Sequence, residues 1–373
     1  MDEGSTTSLV KSEDPLDDIL HRITQEPVPD IAIPAVICEI LASRPLTIDE
    51  LYYFVVVWGG EECTDSSPMP SKAFLWDCCQ GRKAAGNVEK ANTITNHHDL
   101  PDQCNRHGSQ IFGHSIAEWH NQIARTCLTI LKLSSTNEPA TPILKSAADT
   151  LRPYAITQWG YHVRRSNDAD VLKLAMEYLF EILPGNREQL GFLLADMCKT
   201  KDCDRMLSKF EAAHIASYFG LPKEVFDGLN SSTLNACDEL GQTPLSWAAD
   251  EGHEDVVHLL LDRGVEVDTI DNVGRTPLSY AAQRGHIPVL KLLLATGEVE
   301  INRKDGRERT ALSWAAEEGH EEVLGILHEA NKVETSWADD SGMTLLHYAA
   351  DNGNEDFIQA SFKTGKLHVN SRD

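Results

Sequence analysis

Basic residues are scarce in this chain. Across 373 residues, 33 Lys and Arg stand against 58 Asp and Glu, a net charge of −25. Non-specific binding to nucleic acid or to an anionic membrane needs a basic face, so the balance speaks against both. Long apolar runs are missing too. The longest, such as L-Y-Y-F-V-V-V-W at 51–58, fall far short of the roughly 20 residues that span a bilayer. The first residues, M-D-E-G-S-T-T-S-L-V-K-S-E-D, lack the basic start and apolar core of a secretory signal. The nine cysteines are odd in number and irregularly spaced, so no disulfide framework is expected. These absences predict a reduced intracellular setting, the cytoplasm.

Catalytic signatures are also missing. No G-x-x-x-x-G-K-[ST] loop occurs, so there is no phosphate cradle of that type. His253, Glu254 and His258 resemble a zinc-protease helix, but the histidines are five residues apart rather than four and do not share a helical face. No Ser/His/Asp or Cys/His signature appears. No catalytic residue, no enzyme activity and no cofactor is expected.

What is present is a repeat. Residues 243–253 read T-P-L-S-W-A-A-D-E-G-H and 276–286 read T-P-L-S-Y-A-A-Q-R-G-H. Residues 310–320 read T-A-L-S-W-A-A-E-E-G-H and 344–354 read T-L-L-H-Y-A-A-D-N-G-N. The lead threonines Thr243, Thr276, Thr310 and Thr344 are spaced 33, 34 and 34, a period typical of a stacked solenoid. Each threonine can cap a helix. Pro244 and Pro277 suit the first helical position. The Ala-Ala pairs let a second helix approach, and Gly252, Gly285, Gly319 and Gly353 stand where a left-handed residue ends the helix. A second apolar helix follows, as at 256–261, 289–294 and 323–328. A short extended run then leads to Asp271, Asp305 or Asp339.

Thr-Pro-Leu, Ala-Ala, Gly-His and the preceding Asp-x-x-Gly (Asp238/Gly241, Asp271/Gly274, Asp339/Gly342) resemble the ankyrin repeat. Glu308 replaces the turn glycine of the third repeat, so distortion is expected there. A degenerate first unit is expected at 206–237, where Gly220 lies 32 residues before Gly252. The remaining units are placed at 238–270, 271–304, 305–338 and 339–373. The resemblance implies a protein partner held by loop tips and helix shoulders. Those positions are Glu239, Leu240, Gln242, Asp250 and Glu251, then Asn272, Val273, Arg275, Gln283 and Arg284. Arg307, Arg309, Glu317 and Glu318 follow, then Asp340 and Met343. Trp247, Tyr280, Trp314 and Tyr348 form an aromatic column with two readings: packing between first helices, or a stacking ladder for a partner.

Upstream, Thr47 and Glu50 form a capping box ahead of an apolar run. Residues 114–133 place Ile116, Trp119, Ile123, Cys127 and Ile130 on one helical face. Residues 142–165 and 171–183 also read as helices. A-S-R-P-L-T-I-D-E-L, I-A-R-T-C-L-T-I-L and Y-A-I-T-Q-W-G-Y-H-V-R-R, followed by the repeats, resemble the downstream half of fungal NACHT/STAND-type ankyrin proteins, without the NTPase. That resemblance implies a partial winged-helix-like segment at 1–62 and a helical linker at 114–205, leading to repeats at 206–373.

Residues 63–113 are polar and aperiodic, and are read as a low-order insert. They hold Cys63, Cys78, Cys79, His97, His98, Cys104 and His107, with His114 just beyond. Soft ligands of this kind suit zinc, but no pair of C-x-x-C knuckles exists, and no metal residue is assigned. The expected fold is all-α. The expected function is non-catalytic protein binding, as a scaffold or sensor arm, with a zinc-stabilised adaptor as the alternative. At the C-terminus the last second helix, with Phe357, Ile358 and Phe362, is expected to expose a flank and self-associate, as in a truncated product.

Overall fold

The computed structural model describes residues 46–58, 115–135, 140–197, 209–330 and 342–353, with the single positions 42, 44 and 358. The insert at 63–113, the possible zinc ligands and, of the C-terminal flank, Phe357 and Phe362 lie outside the described residues. Among the described residues the protein is helical, with no strand. It divides into two compact units, Met1–Ile182 and Leu183–Asp373.

The first unit packs α1 (Ile48–Trp58), α2 (Ile116–Ser135), α3 (Pro142–Arg165) and α4 (Ala169–Glu177). The capping box at α1 forms as expected: Glu50 N–H donates to Thr47 Oγ1 at 3.1 Å, and Thr47 N–H to Glu50 Oε2 at 2.9 Å. Arg44 braces the same carboxylate at 2.6 Å. α1 buries Leu51, Phe54, Val55 and Val56. It packs on α3, which also packs along α2. On α2 the expected face is buried at Trp119, Ile123, Cys127 and Ile130, while Ile116 is half-buried. Of the winged-helix-like segment expected at 1–62, the described part amounts chiefly to α1.

Two histidines interrupt the apolar core. His120 on α2 and His162 on α3 face each other, Nδ1 to Nδ1, at 2.9 Å, and His162 Nε2 meets the Tyr154 hydroxyl at 2.8 Å. Burial, with the nearby Arg165 charge, pushes His120 down to about 3. Burial, then the His120 and Arg165 charges, holds His162 well below its ordinary value.

The second unit opens with α5 (Arg187–Met197). The degenerate repeat follows as α6 (Ala212–Phe219), α7 (Lys223–Phe226) and α8 (Ser231–Leu234). Three helix pairs come next: α9 (Pro244–Glu251) with α10 (Glu254–Asp262), α11 (Pro277–Arg284) with α12 (Ile287–Ala295), and α13 (Ala311–Glu317) with α14 (Glu321–Glu329). α15 (Leu345–Asp351) begins the last unit. First helices stack in the order α6, α9, α11, α13, α15, and second helices in the order α10, α12, α14.

The repeated phrase explains this stack. Thr243, Thr276 and Thr310 accept from the N–H groups of Ser246, Ser279 and Ser313 at 3.3, 3.2 and 3.4 Å. The Ala-Ala pairs at 248–249, 281–282 and 315–316 are fully buried on first helices that pack against one another. The Gly-His pair is a latch between repeats. His286 pairs through Nε2 with Asp250 O at 2.9 Å, and His320 with Gln283 O at 2.8 Å. Gly252 lies under His286, where a Cβ would fall 2.5 Å from Nδ1.

The third hairpin corrects the expectation of distortion. Glu308 adopts φ +62°, close to the φ of +80° and +82° at Gly241 and Gly274. Its N–H reaches Asp305 O at 2.9 Å, as Gly274 N–H reaches Asp271 O at 3.0 Å. The turn keeps its shape because a non-glycine residue accepts the left-handed conformation, at a cost of order 1–3 kcal/mol.

Candidate partner-binding groove

Each hairpin is organised by its aspartate. Asp238 Oδ1 accepts from the N–H groups of Leu240 and Gln242 at 2.8 and 2.9 Å. Asp271 and Asp305 repeat the pattern with Val273 and Arg275, and with Arg307 and Arg309. The second carboxylate oxygen takes the tip of the aromatic column. Trp247 Nε1–H donates to Asp238 at 3.0 Å, Tyr280 O–H to Asp271 at 2.6 Å, and Trp314 Nε1–H to Asp305 at 3.2 Å. Trp247, Tyr280 and Trp314 are 3, 8 and 7% exposed, which favours the packing reading of the column. Sequence reasoning missed this coupling. Its signal was an aspartate nine residues before each aromatic.

The shoulder positions separate into two groups. Arg275 lies over the Tyr280 ring at 3.9 Å and over Trp314 of the next repeat at 4.3 Å, and its Nη2 donates to Gln283. Arg309 lies over Trp314 at 3.4 Å and donates to Glu317 at 3.1 Å. Arg275 thus bridges the rings of two repeats, while Arg309 covers the ring of its own. Gln242, at the equivalent position of the first full repeat, is buried.

The second group faces outward. Leu240 and Val273, at successive hairpin tips, are 37 and 58% exposed. Asn272 N–H and Nδ2–H donate to Leu240 O and Glu239 O at 2.8 and 2.7 Å, tying the two tips together. Glu251, Arg284, Arg307 and Glu318 are exposed, whereas Glu239, Asp250, Gln283, Glu317 and Met343 are half-buried. Asp340 lies outside the described residues.

Between the first two full repeats the shoulders frame a groove of about 250 Å³. Leu240, Asn272 and Val273 form its tip, Trp247 and Tyr280 its wall, and Gln242, Asp250, Asp271 and Arg284 its polar part. Met197 of α5 also lines it. Arg284 Nε–H donates to Asp250 at 2.8 Å, and that hydrogen bond raises Arg284 above its ordinary value. Six sequence-predicted residues meet here: Leu240, Gln242, Asp250, Asn272, Val273 and Arg284. The groove lies just under the roughly 300–1,000 Å³ of small-molecule pockets, and its size suits a side chain of a larger partner.

Among the described residues, no group of three or more His, Cys, Asp or Glu is arranged to hold a metal ion. No described helix is long and apolar enough to cross a membrane. His253 is placed by the inter-repeat latch, pairing with Tyr218 O at 2.7 Å. His258 pairs with Asp262 on the exposed side of α10 at 3.0 Å.

The period, the paired helices and the aspartate-centred hairpins define a class of helical repeat array. Residues 213–305 and 290–373 match the family model for ankyrin repeats, so this part of the chain carries ankyrin repeats. Arrays of this class are protein–protein interaction modules. No curated protein matches the chain.

Proposed function

We propose that this protein is a non-catalytic binding module that holds a segment of another protein in the groove between its first two full repeats. The observation that carries this reading is the pair of exposed apolar side chains, Leu240 and Val273, at the mouth of a groove with a fixed polar wall. Two tips tied by the backbone and side-chain N–H groups of Asn272 present a preformed surface, and preformed surfaces lose little entropy on binding. The module is read as cytoplasmic. The order of sequence motifs further supports a sensor or scaffold arm of a STAND-type receptor.

The test is selection of displayed peptides on the full chain, followed by binding to the variant Leu240→Glu with Val273→Glu. Both side chains are exposed, so each change should alter stability by no more than about 0.5 kcal/mol. Peptides that bind the wild type and lose at least tenfold in affinity on the variant support the reading. A selection that yields no binders, or only binders indifferent to the two substitutions, counts against it.

A further inference from the structure

We propose that the groove is an arginine slot, and that the partner is a basic segment that inserts an arginine side chain against Trp247 and Tyr280. The inference deepens the binding reading above and rests on it. Its source is a substitution within the array itself. The residue before the repeat threonine is Gln242, Arg275, Arg309 and Met343 in turn, and the residue seven after the threonine is Asp250, Gln283, Glu317 and Asp351. In the second and third full repeats these two positions work as a pair. Arg309 lies over its ring and donates to Glu317, and Arg275 lies over its ring and donates to Gln283. Arg275 also reaches the ring of the next repeat, so it fills the space between Tyr280 and Trp314.

The first full repeat keeps the acceptor and the rings but lacks the guanidinium. Gln242 is shorter and uncharged, and the space along Trp247 and Tyr280 is part of the groove. Gln242 is only 5% exposed, and its Oε1 is buried with no hydrogen-bond partner. A buried acceptor left unsatisfied carries a desolvation cost that an incoming N–H donor would remove. Asp250 stands where Glu317 receives Arg309, and Asp271 adds a second carboxylate at the wall.

Arg284 now holds Asp250, but its side chain is 43% exposed against 12% for the carboxylate, so it approaches from the solvent side. Arg284 donates to both oxygens, Nε–H to Oδ1 at 2.8 Å and Nη2–H to Oδ2 at 3.3 Å, so the incoming guanidinium shares those oxygens through their second lone pairs. The surrounding field has the required sign, with 26 Asp and Glu against 12 Lys and Arg from 238 to 373. An anionic ligand would meet Asp250 and Asp271. A lysine would supply charge without the planar face that stacks on rings. Leu240 and Val273 then take apolar neighbours of the arginine.

The probe is the peptide acetyl-Leu-Arg-Leu-amide, titrated into the full chain and followed by NMR at the Trp247 indole N–H. The comparison peptides carry lysine or citrulline in place of arginine. Saturable shifts at Trp247 are expected with arginine, with affinity at least tenfold weaker for citrulline and reduced for lysine. Gln242→Arg should supply the missing guanidinium from within, raise the melting temperature and weaken the arginine peptide at least tenfold. Asp250→Asn, at the rim, should weaken it as well.

Equal affinity for the citrulline peptide, or no loss of affinity with both Gln242→Arg and Asp250→Asn, overturns the slot. Selected peptides that need Leu240 and Val273 but tolerate loss of every arginine overturn it too, while leaving the binding reading intact. If neither selected peptides nor the probe bind the groove, the binding reading fails, and the slot fails with it.

Discussion

Arg275 and Trp314 belong to successive repeats, yet the guanidinium lies 4.3 Å from the centre of the indole. The same group lies 3.9 Å from Tyr280 of its own repeat. A desolvated cation between two rings is worth roughly 1–2 kcal/mol. Arg275→Met keeps most of the stem and removes the charge, so it is expected to cost about that amount in a denaturant melt. Arg307→Met, at an exposed loop tip, should stay within about 0.5 kcal/mol. Equal effects for the two would show that the staple contributes nothing.

Trp314 is the hub of the array. Its indole N–H reaches Asp305, its ring receives Arg275 and Arg309, and its side chain is buried. Trp314→Ala should therefore cost roughly 3–5 kcal/mol. Trp314→Phe retains most of the packing and loses the bond to Asp305 Oδ2, which keeps its ion pair with Arg309 at 3.4 Å, at about 1 kcal/mol. The ordering Ala worse than Phe is the measurable outcome in urea. A loss below about 1 kcal/mol for Trp314→Ala would contradict the buried role.

The latch between Gly252 and His286 makes a prediction of non-additivity. Gly252→Ala meets two penalties: the residue has φ +73°, and its new Cβ would fall 2.5 Å from the imidazole. His286→Ala loses a hydrogen bond to Asp250 O, worth about 1 kcal/mol. The double variant relieves the clash while keeping the backbone strain. It should be more stable than the sum of the single losses predicts, by about 0.5–3 kcal/mol in a double-mutant cycle. Strict additivity would show that the imidazole does not set the need for glycine.

Glu308→Gly should stabilise the third hairpin. A non-glycine residue at φ +62° carries backbone strain. The ion pair with Lys304 at 2.8 Å joins side chains that are 58 and 42% exposed, so its loss costs little. Glycine loses more chain entropy on folding, which offsets part of the gain. The net expectation is a gain of about 0.5–1 kcal/mol by thermal or urea melt, and a loss of stability would refute it.

Much of the repeat array was legible because its local devices recur at a fixed offset. Thr-Pro gives the cap, Ala-Ala the close approach, and glycine the left-handed stop. The arginine staples were less legible because their partners lie along different paths: five residues on for Arg275 and Tyr280, and in the next repeat for Trp314. Loop-tip variation pointed to Arg275 and Arg309 as outward groups, whereas ring stacking draws them inward. Glu308 broke the composition rule for a turn without breaking the turn. At the groove, glutamine stands at 242 where the next two repeats have arginine, a difference visible in the sequence whose place beside the rings is not. In the first unit, His120 and His162 are 42 residues apart. Neither has a local partner pattern that would mark it as half of a buried pair.

That pair gives the pH prediction. In the folded state His120 titrates near 3 and His162 lies well below its ordinary value, because burial and the Arg165 charge disfavour the imidazolium. The geometry agrees. The Nδ1 atoms are 2.9 Å apart, so one must donate and the other accept, and two protonated rings would place hydrogen against hydrogen. His162 Nε2 is paired with Tyr154 O–H, and Tyr161 packs against both imidazoles. In the unfolded chain both histidines take up protons near 6.5. The unfolded state thus binds more protons below that value, so stability is complete above about pH 6.5 and falls as pH decreases toward the folded values. Each histidine contributes a slope of roughly 1.4 kcal/mol per pH unit once the unfolded ring is charged. Hydrogen exchange across α2 and α3 of the full chain should show protection falling from pH 7 to 5.5, after correction for intrinsic exchange. His120→Leu should flatten that dependence, and an unchanged slope in this variant would assign the loss to other groups.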